Sequence, residues 1–227
     1  MPKTVNLHKN SPNYPPALKE HLRDDAPQSI ALLGDPGILN HQSVALFCSV
    51  KCPGTLILHT YDMVQILRET GMTVIGGFHS PMEQECLAIL LRGKQPIIIC
   101  PARSIEGMRI KAEFKKPLDD GRLLILSPFK ENQRRPTIKT TQYRNLLTAA
   151  LSSVIFVTYA EPAGKTEEFC RKVLSWQKPL YTFDSDYNKN IIDMGARPVK
   201  PENVSEWGKF FAKFRGGRIP NSGKCYR

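Results

Sequence analysis

Three short turns hold the residues best suited to bind an anion. Ser49-Val50-Lys51 sets a hydroxyl and an ammonium directly after an apolar run. Gly76-Gly77-Phe78-His79-Ser80 brings two glycines to the mouth of a helix, and Gly164-Lys165-Thr166 does the same with one glycine and a cation. A glycine lets the backbone turn tightly and approach a ligand, and a helix N-terminus leaves N–H groups free for a phosphate oxygen. Arg144-Asn145 opens a further helix, as a phosphate contact or as a tie to a neighbouring loop. Arg134 and Arg135 lie in the loop from Pro128 to Lys139, which carries four cations against one acid and has Phe129 as a stacking ring. Plain connecting loops remain the alternative for the Ser49 and Gly164 turns, and an ordinary strand–helix unit for the Gly76 turn. Gly164-Lys165-Thr166 is not a P-loop, because the first glycine of that motif would fall on Tyr159.

Glu83 has two readings. It lies three residues after Ser80, with Pro81 between them, so Ser80 and Glu83 form a capping box at the start of a helix. A carboxylate beside a glycine turn could instead stabilise an oxocarbenium-like ribosyl centre or position water, and Glu83 would then be catalytic in cleaving an N-glycosidic bond.

Alternating elements must position these turns. Apolar, β-branched runs mark strands at Ile30–Gly34, Ser43–Cys48, Thr73–Ile75, Pro96–Cys100, Arg122–Ser127, Ser153–Tyr159 and Leu180–Phe183. Helical spacing marks Thr60–Thr70, the segment after Ser80 with Met82, Cys86 and Ile89 on one face, Gln142–Leu151 and Glu167–Trp176. Strands alternating with helices predict an α/β fold, a Rossmann-like and mostly parallel sheet with helices on both faces. One domain over residues 29–200 is expected, with an extended, proline-broken N-terminal segment at 1–28 and a basic aromatic tail at 201–227. In that tail Trp207, Phe210, Phe211 and Phe214 interleave with Lys209, Lys213, Arg215, Arg218, Lys224 and Arg227. Its aromatic face is expected to dock on the core, leaving a basic outer face.

The chain has 227 residues and a formal charge of +11, from 32 basic and 21 acidic side chains. Such an excess favours a polyanionic partner, nucleic acid first. No apolar run is long enough to span a bilayer, and residues 1–8 lack the apolar core of a signal peptide. Cysteines inside strands and helices suit free thiols in a reducing cytoplasm. Cys48 and Cys52 form a lone C-x-x-x-C with no second pair, so no metal site is expected. The G-x-G-x-x-G fingerprint is missing, which argues against a NAD site, and no cofactor is expected.

Four pieces in order resemble the DNA-processing protein A family (DprA, or Smf), over roughly residues 14–199. Tyr14-Pro15-Pro16-x-Leu18 is similar to its Y-P-x-x-L entry, and Gly76-Gly77-Phe78 with Met82-Glu83 stands where it has S-G-x-A-x-G-I-D. Arg144-Asn145-x-x-x-Ala149-x-Leu151-Ser152 resembles R-N-R-I-I-A-G-L-S, and Asn190-x-Ile192-x-x-Gly195-Ala196 resembles N-x-L-I-x-x-G-A. The chain departs from the pattern at Val50-Lys51, Leu87, Leu146 and Ala163-Gly164-Lys165, and neither the family's helical N-terminal domain nor its C-terminal winged helix is expected within these 227 residues. The resemblance implies binding of single-stranded DNA, a homodimer, transfer of the strand to a RecA-type recombinase, and a role in DNA uptake and transformation. On this reading Ser49, Lys51, Gly76, Gly77, His79, Ser80, Arg134, Arg135, Arg144, Asn145, Gly164, Lys165 and Thr166 form one phosphate-binding groove. The enzymatic alternative is a nucleotide phosphoribohydrolase or DNA glycosylase. Pro162-Ala163-Gly164-Lys165-Thr166-Glu167-Glu168 loosely resembles the P-G-G-x-G-T-x-x-E motif of Lonely Guy-type phosphoribohydrolases.

Overall fold

Runs of valine, isoleucine and leucine form the centre of one nine-stranded sheet. The structure, a computed structural model, describes residues 4–200 and 206–215. The elements run β1 (Val5–His8), α1 (Pro16–Leu22), β2 (Ser29–Gly34), β3 (Ser43–Cys48), α2 (Gly54–Glu69), β4 (Thr73–Gly76), α3 (Pro81–Leu90) and β5 (Ile97–Ile99). They continue with α4 (Ala112–Asp119), β6 (Leu123–Ser127), α5 (Ile138–Leu151), β7 (Val154–Tyr159), α6 (Lys165–Leu174), β8 (Leu180–Phe183), α7 (Lys189–Asp193), β9 (Arg197–Val199) and α8 (Trp207–Arg215).

The strand order is β1-β2-β6-β5-β4-β3-β7-β8-β9. All pairings from β6 to β9 are parallel, and β1 and β2 add an antiparallel edge. The chain steps outward from β3 through β4 and β5 to β6. It then returns along α5 to place β7 on the other side of β3. The expected Rossmann-like sheet is therefore present, with the order reversing between β3 and β7.

Successive strand residues point to opposite faces and so feed two cores. Val44 and Leu46 of β3 pack with Met63, Val64 and Leu67 of α2 on one face. Ala45 and Phe47 pack with Leu147 and Ala150 of α5 on the other. Helix α2 contacts α3 and α8, whereas α5 contacts α1 and α6. The loops leaving β3 and β7 thus diverge to opposite faces, and the space between them is where an open α/β sheet binds ligands.

Several elements start earlier than the sequence predicts. Helix α2 begins at Gly54 rather than Thr60, because Leu56 is buried and Ile57 packs against the same core. Helix α5 begins at Ile138 rather than Gln142. Thr137 Oγ1 accepts from the Thr140 N–H at 3.1 Å, and Thr140 Oγ1 accepts from the Thr137 N–H at 2.8 Å. That reciprocal pair is a capping box built from two threonines. Helix α6 starts at Lys165, with Gly164 as its N-cap.

The described residues before 29 join the same sheet and core: β1 pairs with β2, and Tyr14, buried, donates to Pro27 O at 2.8 Å. Trp207, Phe211 and Phe214 of α8 are buried, with Trp207 edge-on to Phe156 and Phe183, while Lys209 and Lys213 are exposed. Helix α8 therefore docks as the aromatic spacing predicts; Arg218, Lys224 and Arg227 lie outside the described residues. No helix among the described residues is long and apolar enough to cross a membrane.

Candidate functional site

The C-terminal ends of β3, β4, β5 and β7 are tied together by buried polar side chains. The Glu161 N–H donates to Ser49 Oγ at 2.9 Å, joining the loop after β7 to the loop after β3. Glu83, 8% exposed, accepts from the Cys48 N–H at 3.1 Å through Oε1 and from the His79 N–H at 2.8 Å through Oε2. It thereby joins the end of β3 to the turn after β4. Arg144, 3% exposed, donates from Nη1 to Cys100 O at 2.9 Å and from Nε to Asn145 Oδ1 at 2.8 Å. This ties α5 to the end of β5.

The electrostatics follow from burial. Loss of water pushes the Glu83 carboxyl above its ordinary value; the His79 N–H, the Arg144 charge and the Cys48 N–H oppose that push. Burial likewise lowers the Arg144 guanidinium, and Glu83 pulls it back. The half of the expected capping box supplied by Ser80 is present, since its hydroxyl accepts from the Glu83 N–H at 3.3 Å. The other half differs: the Glu83 carboxylate reaches past Ser80 to His79 and to the neighbouring strand.

Gly77 allows this arrangement. A Cβ at that position would overlap the Arg144 guanidinium. The next residue, Phe78, takes a left-handed conformation (φ 47°) and buries its ring against Gly76 in the core, so it offers no stacking face. Phe129 packs edge-on to Tyr143, with ring centroids 6.0 Å apart, and lines a separate small cavity with Ser127 and Lys130.

Above these ties lies an open groove of about 850 Å³ between the strand-end loops, α5 and α6. His79, Asn145, Lys165 and Thr166 line it, as do Val50, Thr137, Ile138, Leu146, Phe169 and Lys172. Of the residues singled out from sequence, the structure brings His79, Asn145, Lys165 and Thr166 to one surface. Lys51, Arg134 and Arg135 are exposed and adjoin the lining residues Val50 and Pro136 in the chain. Ser49, Ser80, Glu83 and Arg144 are buried beneath, holding the loops rather than lining the groove. Gly76 and Gly77 shape the β4 turn, and Gly164 caps α6.

Sequence reasoning missed four contributors. Lys172 follows Lys165 by seven residues, two helical turns along one face, and that spacing was readable. Val50 and Ile138 are 68% and 62% exposed, unusual for large apolar side chains, and both line the groove. Phe169 forms its buried floor. Their role depends on which surfaces the fold leaves uncovered.

The family model described as DNA recombination-mediator protein A matches residues 6–207. The chain is similar to DNA processing protein A from Streptococcus pneumoniae, at 18% identity and TM-score 0.74, covering 93% of this chain and 75% of that one. A structure of the Helicobacter pylori protein, described for its single-stranded DNA binding mode, aligns at 19% identity and TM-score 0.74 over 94% of this chain and 99% of that one. A molybdenum cofactor binding protein from Rippkaea orientalis aligns at 12% identity and TM-score 0.52 over 76% and 98%. No curated protein matches the chain.

Proposed function

The chain belongs to the DNA recombination-mediator protein A family, and from that membership we propose that its strand-end groove binds single-stranded DNA. The observation that carries this reading is the pairing of exposed apolar side chains, Val50 and Ile138, with the cations Lys165 and Lys172 in one groove. In a duplex the bases are stacked and paired, so an apolar floor has nothing to receive. In a single strand the bases are free to turn inward onto Val50, Ile138 and Phe169 while the phosphates stay outward. Lys165 and Lys172 then meet phosphates directly, and Lys51, Arg134 and Arg135 extend the positive rim. The Thr166 hydroxyl and the N-terminus of α6 add donors for a phosphate oxygen. The Helicobacter pylori relative's description as a single-stranded DNA binder supports the same assignment here.

Catalysis through Glu83 gains no comparable support, because both its oxygens accept backbone N–H groups and it does not line the groove. The biological setting that follows is DNA uptake and recombination in the cytoplasm, with the protein acting as a homodimer that passes the strand to a RecA-type recombinase.

Fluorescence anisotropy with labelled single-stranded and duplex DNA, each at two salt concentrations, tests the binding reading. Tighter binding of the single strand, weakening with salt, is expected. Absence of binding to either form at low salt would reject it.

A further inference from the structure

Cys48 ends β3 and Cys52 precedes α2 by two residues, so three residues, Ser49, Val50 and Lys51, arch between them. Both sulfurs lie on the α2 side of the sheet: Cys48 is in that core and Cys52, half-buried, packs against it. The two thiols are near enough to shift each other, Cys48 upward and Cys52 downward. The arch is held at its start. The Cys48 N–H donates to Glu83, the Ser49 N–H donates to Tyr159 O at 2.9 Å, and Ser49 Oγ accepts from Glu161. Pro53, the N-cap of α2, holds its far end. Neither thiol serves the phosphate groove described above, yet the residues they bracket include Val50, on its wall.

We propose that Cys48 and Cys52 form a redox-active dithiol that closes to a disulfide across the Ser49–Lys51 arch when the protein meets a peroxide. Cys52 is the attacking thiol. It is the more accessible of the two and sits just before the N-terminus of a sixteen-residue helix, whose dipole favours a thiolate. The neighbouring Cys48 side chain holds the Cys52 thiol below its ordinary value, while the Cys48 thiol is raised. The Cys52 thiolate attacks one peroxide oxygen, the O–O bond breaks, and with one proton the product is a sulfenic acid and a water. The Cys48 sulfur then attacks the Cys52 sulfur. The S–O bond breaks, and the departing hydroxide takes the Cys48 proton as a second water. Two thiols are oxidised by two electrons, and one hydrogen peroxide is reduced to two waters. A dithiol reductant reverses the change by exchange. Cys86 of α3 belongs to the same core and is the competing thiol, but it is fully buried on a different element.

Trypsin supplies a direct test, because it cuts after Lys51, between the two cysteines. The full-length reduced protein is treated with hydrogen peroxide, its remaining thiols are blocked with N-ethylmaleimide, and it is digested and weighed by mass spectrometry. The peptide of residues 24–51 is expected to remain joined to that of residues 52–68 until dithiothreitol separates them. In Cys48→Ser, lacking the second thiol, dimedone is expected to trap a sulfenic acid on Cys52. Recovery of both wild-type peptides separately with N-ethylmaleimide on each cysteine would overturn the proposal. So would linkage of residues 52–68 to the peptide that carries Cys86.

Discussion

The guanidinium of Arg144 occupies the space that a side chain at Gly77 would need. A Cβ built on Gly77 would overlap Arg144 Nη1, the atom that donates to Cys100 O. The glycine therefore serves a close approach between a buried cation and the β4 turn, not flexibility.

Gly77→Ala is thus expected to expel the guanidinium from its site and strand the Cys100 carbonyl. The cost should be about 2–4 kcal/mol, the range for breaking a buried polar network. Urea denaturation measures it. The double variant with Arg144→Met should lose less than the sum of the two single losses, because both act on one contact. A cost for Gly77→Ala within about 0.5 kcal/mol would show that Arg144 is not held there.

Burial separates the cations into two kinds with different signatures. Lys165→Ala and Lys172→Ala should each reduce the slope of log affinity against log salt for single-stranded DNA by about 0.7, the loss of one phosphate contact. Both lie on the surface of α6, so stability should change by no more than about 0.5 kcal/mol. Arg144→Met should do the reverse, lowering stability by about 2 kcal/mol and leaving the salt slope alone among molecules that remain folded. A slope change for Arg144→Met equal to that of Lys165→Ala would place its charge at a phosphate.

That division explains how much of the molecule was legible beforehand. The strands at Val154–Tyr159 and Leu123–Ser127 were readable because a buried parallel strand is continuously apolar. The start of α3 was readable because Ser80 and Pro81 act locally. Arg144 was legible only as a cation at a helix start. Its burial depends on Gly77 and on the Cys100 carbonyl, which lie far off in sequence and meet it only when β4, β5 and α5 assemble. The same holds for Glu83, whose carboxylate bonds a strand 35 residues earlier. The start of α5 went unseen because the capping acid expected at its third position is replaced by Thr140, which serves the same N–H. Val50 and Ile138 read as ordinary apolar residues until the fold leaves them uncovered.

Those two side chains carry the case for a single strand over a duplex. Val50→Ser and Ile138→Ser remove apolar area from an exposed surface, so stability should hold within about 0.5 kcal/mol. Single-strand affinity should fall by about threefold to tenfold for each, with the salt slope unchanged, because no charge is lost. Weak duplex binding should be unaffected. Equal weakening of duplex and single strand would mean that the bases do not reach the floor.

Glu83 makes the stability of the site depend on pH in a direction set by its burial. The unfolded chain releases this proton near the ordinary value of 4.5, whereas the folded chain holds it to higher pH. Between the two values the folded state binds more protons than the unfolded state. The Glu83 contribution is therefore complete below about pH 4.5 and is lost as pH rises through the folded value. Glu83→Gln removes this titration. It also sets an amide NH₂ against one of the two N–H groups, of Cys48 and His79, that the carboxylate accepts, costing about 1–3 kcal/mol. The wild type should thus be more stable than Glu83→Gln, and its advantage should be widest at and below about pH 4.5 and narrow as pH rises above it in denaturant titrations. An advantage that grows with pH would mean that the N–H donors and Arg144 outweigh burial, and that the folded carboxyl lies below 4.5.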